Sequence, residues 1–245
     1  MRVAVLGATG RTGVPLVTEL VRRGHDVTVL VRDPDKKTIS DTSTVTGSVT
    51  DRGALAAALT GVDAVVSTLG PTAKEPDLHT MTAHLIVELL PSAGRIIGIS
   101  GAGIDVPGDK NGTRDKIVSF LIRKLGGAVA KDKPREYEVY ADSDLHWTLA
   151  RPPRLMDGPG TGRYYSDAHR PGKSSSIKRA DLALFLADCL DQSLYVKQAQ
   201  FVSSEQMMLL QVEQQPPPQQ PPPPADGAEP EVTLPSVVSS LIVSS

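Results

Sequence analysis

Three glycines at regular spacing, Gly7, Gly10 and Gly13, follow directly on the apolar run Val3, Ala4, Val5 and Leu6. Residues of these types in this order bring backbone N–H groups against a phosphate. A run that is apolar at every position reads as a strand buried on both faces. Gly7 lets the chain leave that strand sharply. Gly10 lacks the Cβ that would hold a pyrophosphate off the backbone, and Gly13 lets the next helix lie close to the sheet. The helix N-terminus adds unpaired N–H groups and the positive end of its dipole. Thr9 and Thr12 place hydroxyl donors in the same turn. Where a fold that binds NAD puts an acidic residue for the ribose 2′-hydroxyl, about 20 residues past the glycines, this chain has Arg32. A guanidinium offers a 2′-phosphate two parallel N–H donors. Arg11, inside the turn, is placed to reach the same phosphate, while Asp33 opposes it. These residues predict NADP as cofactor, with NAD less favoured.

The surrounding pattern supplies elements to hold that turn. Val14, Val17, Leu20 and Val21 line one side of a helix with Arg22 and Arg23 opposite, and Gly24 stands where a C-cap glycine belongs. Strands are predicted at 26–31, 44–46, 63–68, 95–100, 146–150 and 198–203. Helices are predicted at 54–59 with Asp51 as N-cap, 79–90 with Gly94 ending it, 114–125, 134–141 and 180–190. Alternating strands and helices imply an α/β fold, a doubly wound, mostly parallel sheet of Rossmann type. Ligands bind at the carboxyl ends of such strands, which makes Thr68, Leu69, Gly70 and Ser100 cofactor neighbours and the long loops 101–113 and 153–175 the substrate region. One domain spans 1–204. The proline- and glutamine-rich tract that follows cannot join a sheet or helix, so 205–245 reads as a low-complexity tail, placed to engage a protein partner's aromatic groove.

Composition narrows the function further. The chain has 245 residues, 40% of them hydrophobic but only 4% aromatic, so its core must be built from aliphatic side chains. A net charge of −2 provides no electrostatic footprint for nucleic acid. Cys189 is the only cysteine, which excludes an internal disulfide or a cysteine metal cluster. His79 and His84 lie five apart, off the spacing of a helical metal pair, so no metal site is expected. No apolar run is long enough to span a membrane and no secretory signal precedes the first strand, which predicts a cytoplasmic protein acting on a small molecule, as monomer or dimer.

GATGRTG, VTVLVRDP and WTLARPP together resemble the atypical short-chain dehydrogenase group, in particular its NmrA-like members and the biliverdin reductase B/flavin reductase branch. The resemblance runs from Met1 to about Ser204. It implies an adenine site beside Gly47, where relatives carry an aspartate and this chain has Ser48, followed by Val49. It also implies cofactor contacts after the WTLAR strand, at Pro152 and Pro153. Short-chain dehydrogenases ordinarily use a Tyr-x-x-x-Lys pair and a serine, the tyrosine giving its proton to the carbonyl. None of the five tyrosines here has a lysine four residues on. Lys133 falls where the family lysine is expected, but Val129 stands in the tyrosine's place. Ser100 and Tyr137 remain as candidate proton donors. Hydride transfer to a flavin, quinone or tetrapyrrole needs positioning more than a strong acid, so the resemblance implies an NADPH-dependent reductase of such acceptors. The alternatives it leaves are an NADP(H)-sensing regulator without catalysis and a natural-product tailoring enzyme.

Overall fold

The computed structural model describes residues 1–35, 40–110 and 127–205, with backbone alone for 127–130. The helix predicted at 114–125 and the tail lie outside the described residues. β1 (Arg2–Leu6) is buried from Val3 onward. Val3 and Val5 enter one core and Ala4 and Leu6 another, on the opposite face of the sheet. The same alternation runs through β2 (Asp26–Val31), β4 (Ala64–Ser67), β5 (Arg95–Ile99) and β6 (His146–Arg151). An uninterrupted apolar strand is stable only because helices cover both faces. Leu16, Val17 and Leu20 of α1 (Gly13–Arg22) and Leu182, Phe185 and Leu186 of α5 (Arg179–Asp191) close one side. On the other lie Leu55 and Leu59 of α2 (Arg52–Leu59), Ile86 of α3 (Leu78–Leu89) and Tyr140 of α4 (Gly127–Ala141).

With β3 (Thr42–Thr46), β8 (Tyr165–Asp167) and β10 (Gln198–Ser203), the strand order is β3-β2-β1-β4-β5-β6-β10-β8. Every neighbouring pair is parallel except β10 with β8. The order reverses between β1, which pairs Leu6 with Leu30 of β2, and β4, which places Ser67 beside Leu6. That reversal opens a crevice at the strands' carboxyl ends, where open α/β sheets bind their ligands. Two further short strands, β7 (Arg154–Met156) and β9 (Ser176–Lys178), pair with each other outside the main sheet. Among the described residues no helix is long and apolar enough to cross a membrane.

Local chemistry explains the element ends. Gly24 has φ +81°, its N–H donates to Val21 O at 2.9 Å and that of His25 to Leu20 O at 3.1 Å, the paired bonds of a glycine C-cap. Asp51 accepts from Gly53 N at 2.8 Å and Ala54 N at 3.2 Å, as an N-cap should. Two boundaries correct the sequence reading. α3 ends at Leu89, before Gly94, because Leu90 precedes Pro91 and takes the extended conformation a following proline imposes; Ala93, at φ +63°, then turns the chain. α4 begins at Gly127 and carries Pro134 in its interior instead of starting there. Nor is 153–175 a plain loop, since β7 and β8 lie within it. Strands of three residues are too short to show a period.

Candidate functional site

Gly7, Thr9, Gly10, Arg32, Ser48, Val49, Thr68, Leu69 and Gly70 come together around one cleft of about 250 Å³ at the reversal point. Gly7 has φ +77°, and a Cβ there would stand 3.0 Å from the Thr68 carbonyl carbon. Thr68 Oγ1 donates toward the carbonyls of Leu6 and Gly7, each at 3.1 Å, tying the end of β4 to the turn. A Cβ on Gly13 would lie 2.1 Å from Gly7 O, so the first residue of α1 packs against the start of the turn. Thr12 is the N-cap but makes no side-chain cap bond. Among the described residues the N–H groups of Arg11, Thr12 and Gly13 meet no acceptor. Free donors at a helix start, next to a glycine turn that lines the cleft, fit a dinucleotide pyrophosphate.

The remaining sequence candidates are not part of this cleft's lining. Arg11 is exposed and pairs with Asp157 at 3.4 Å; Asp157 is held more closely by Arg179, at 2.6 Å. Ser48 Oγ is 2.9 Å from Thr50 Oγ1 and accepts from Thr50 N at 3.3 Å, a local turn bond beside the cleft. Ser100 follows β5 with its hydroxyl buried and unpartnered. Pro152 is buried just beyond β6. Pro153 lines a separate small cavity of about 40 Å³ with Arg151 and Phe201. Tyr137 packs edge-on against Trp147, ring centroids 5.8 Å apart.

Lys133 enters a buried polar cluster that sequence reasoning did not find. Its Nζ donates to Ile99 O at 2.6 Å and Glu136 Oε2 at 2.9 Å, and lies 2.8 Å from His79 Nδ1. An ammonium has three donors and no acceptor, so all three are spent inside the protein. His79 Nδ1 is then the acceptor and its proton sits on Nε2, which is buried without a partner. Asp132, from the same helix, accepts the N–H groups of His79 at 2.8 Å and Thr80 at 3.0 Å. It thereby caps α3 from outside that helix, where Asp77 makes no cap bond. Asp132 and Lys133 fall outside the helix predicted at 134–141, so the sequence showed neither their common helix with Glu136 nor their partners on α3.

Burial first, then the Lys133 charge, pushes the His79 imidazole down to about 3, against the opposite pull of Asp132. Burial raises the Glu136 carboxyl, which Lys133 opposes. His79 is therefore neutral in the fold, whereas in the unfolded chain it takes a proton near its ordinary 6.5. The unfolded state binds more protons between those values, so this contribution to stability falls as pH falls through that window. From pH 6.5 to 4.5 it amounts to about 2–3 kcal/mol. Glu136, with its raised value, acts with the opposite sign. Melting followed over that range should therefore be steeper for the wild type than for His79→Gln, and equal slopes would refute the assignment.

The sequence profile of the NAD(P)H-binding family matches residues 7–193, from the glycine turn through α5. The chain belongs to the NAD(P)H-binding family. It is 24% identical over 213 residues to the uncharacterized protein YwnB of Bacillus subtilis, covering 84% of this chain and 99% of that one. A crystal structure of a protein from Lactobacillus casei superposes with a TM-score of 0.71 at 27% identity, over 84% of this chain and all of that one. The structure of a candidate NADH-flavin reductase from Streptococcus pneumoniae superposes at 0.66 with 26% identity, again over 84% and 100% of the two chains. With these matches GATGRTG is more than a resemblance: the chain is a member of the atypical short-chain dehydrogenase, NmrA-like group and carries its NAD(P)-binding Rossmann-type domain.

Proposed function

We propose that the protein is an NADPH-dependent reductase that passes hydride to a small conjugated acceptor such as a flavin, quinone or tetrapyrrole. The observation that carries this reading is Arg32 in the same cleft as Gly7, Gly10 and Thr68, at the carboxyl ends of β1, β2 and β4. A bound reduced nicotinamide would supply the hydride. The N–H groups of Arg11, Thr12 and Gly13 would hold the pyrophosphate, and Arg32 the 2′-phosphate. Lys133, whose donors are all engaged, orders the end of β5 beside Ser100 and does not activate a tyrosine. Protonation of the reduced acceptor then falls to water, which suffices for a flavin or quinone. The name of the streptococcal neighbour supports a flavin as acceptor.

Purified protein should oxidise NADPH when FMN, a quinone or biliverdin is present. No turnover above background with any of them, at cofactor concentrations that saturate binding, would move the reading to a sensor. The cofactor part has its own test. Charge-assisted bonds of about 1.5–3 kcal/mol correspond to roughly ten- to hundredfold in affinity. Arg32→Ala should weaken NADPH by about that factor and leave NADH nearly unchanged. Equal losses for the two cofactors would remove the NADP assignment.

A further inference from the structure

Asp33 is the obvious opponent of a 2′-phosphate in the sequence, since it adjoins Arg32. In the structure Asp33 is not part of the cleft lining, and its Oδ1 accepts Asp35 N at 3.1 Å, within its own turn. The carboxylate that does line the cleft is Glu75, from the loop between β4 and α3. Glu75 Oε2 stands 3.6 Å from Arg32 Nη1, and the two side chains are 36% and 74% exposed. The Glu75 backbone is tied to the start of α3, with Leu78 N donating to Glu75 O at 3.2 Å. The pair therefore joins the end of β2 to the β4–α3 loop at the cleft.

We propose that Glu75 is the specificity residue that restrains the preference for NADPH, by holding Arg32 in the free protein and by accepting the ribose 2′-hydroxyl of NADH. This rests on the reading of the cleft as the cofactor site. A 2′-phosphate must displace Glu75 from Arg32 and then bear its negative charge nearby. An exposed pair at this distance is weak and screened by salt, so displacement is feasible. A 2′-hydroxyl has no charge for Arg32 to select, and an acidic side chain at this end of the crevice is its usual partner. Arg32 and Glu75 thus pull cofactor choice in opposite directions. The intact chain responds to both cofactors, and the balance sits in one residue beyond the strand end where it is ordinarily sought.

The experiment compares dissociation constants for NADPH and NADH on wild type, Glu75→Gln and Asp33→Asn. Glu75→Gln should raise the NADPH-over-NADH preference about 3- to 10-fold, the effect of removing one like charge at a partly exposed site. Asp33→Asn should leave it within about twofold, and added salt should shrink the gap between Glu75→Gln and wild type. Melting temperatures should stay close, since both side chains are solvent-accessible. An unchanged or lowered preference in Glu75→Gln, or a larger shift from Asp33→Asn, overturns the proposal. Failure of the wild type to bind either cofactor would overturn the cleft reading itself, and is distinguished by the wild-type titration alone.

Discussion

Gly13→Ala is expected to abolish cofactor binding and to destabilise the fold by about 3 kcal/mol or more, whereas Gly10→Ala should do mainly the first. The difference follows from what a Cβ meets. At Gly13 it would stand 2.1 Å from Gly7 O and 2.7 Å from both the carbonyl carbon and oxygen of Ala8. All of these are backbone atoms, so the start of α1 must shift away from the turn. That shift moves the unpaired N–H groups that address the pyrophosphate. At Gly10 only Gly7 O is near, at 3.1 Å, which a small adjustment relieves. The added methyl would instead face the ligand, and a loss of roughly ten- to hundredfold in affinity is expected with a melting temperature near that of the wild type. Thermal melts and cofactor titrations on the two variants separate the roles. A Gly13→Ala protein with wild-type melting would refute the close-packing role assigned here.

That turn was legible because everything it needs is local: a strand, three glycines and a helix start within thirteen residues. The sheet was legible for a related reason. Strands such as 198–203 are apolar or alternate over enough positions to show their period, and the observed β10 has those bounds. Thr68, just past β4, followed from the rule that ligands sit at carboxyl ends, and Val49 from the family resemblance; both line the cleft. What sequence did not show are pairings across long separations between residues with no period. Asp132 caps His79 and Thr80 from another helix, 53 and 52 residues away. Glu75 meets Arg32 only because the sheet order reverses between their strands. Arg151, just past the strand predicted at 146–150, carries no sequence signal of its own, yet it is among the largest fully buried side chains of the described residues.

Arg151 accounts for the second large effect. Its guanidinium forms two bonds to Asp109, Nη1 to Oδ2 at 2.7 Å and Nη2 to Oδ1 at 2.9 Å. It also donates to Ile104 O at 3.3 Å and Ala168 O at 2.9 Å, and its carbon lies 3.6 Å from the centre of the Phe201 ring. The end of β6 thus clamps the loop after β5 to the loop after β8, the two segments read as flanking the substrate. With the Arg151 side chain fully buried and that of Asp109 7% exposed, neither charge is solvated. Replacing a buried ion pair as a whole can be nearly neutral, but removing one partner strands the other and costs about 3–5 kcal/mol. Arg151→Met and Asp109→Asn should each lower stability, the former by about that amount. The double variant should lose less than their sum by about 1–3 kcal/mol, as expected for residues in contact. Arg151→Lys should not restore stability, because an ammonium cannot reproduce the paired bonds or reach all four acceptors. Because no residue of the clamp lines the cleft around the glycine turn, KM for the acceptor should rise while the dissociation constant for NADPH stays close to wild type. A double-mutant cycle with additive losses would show that Arg151 and Asp109 stabilise the protein independently, and the clamp would have to be abandoned as the element that shapes the acceptor site.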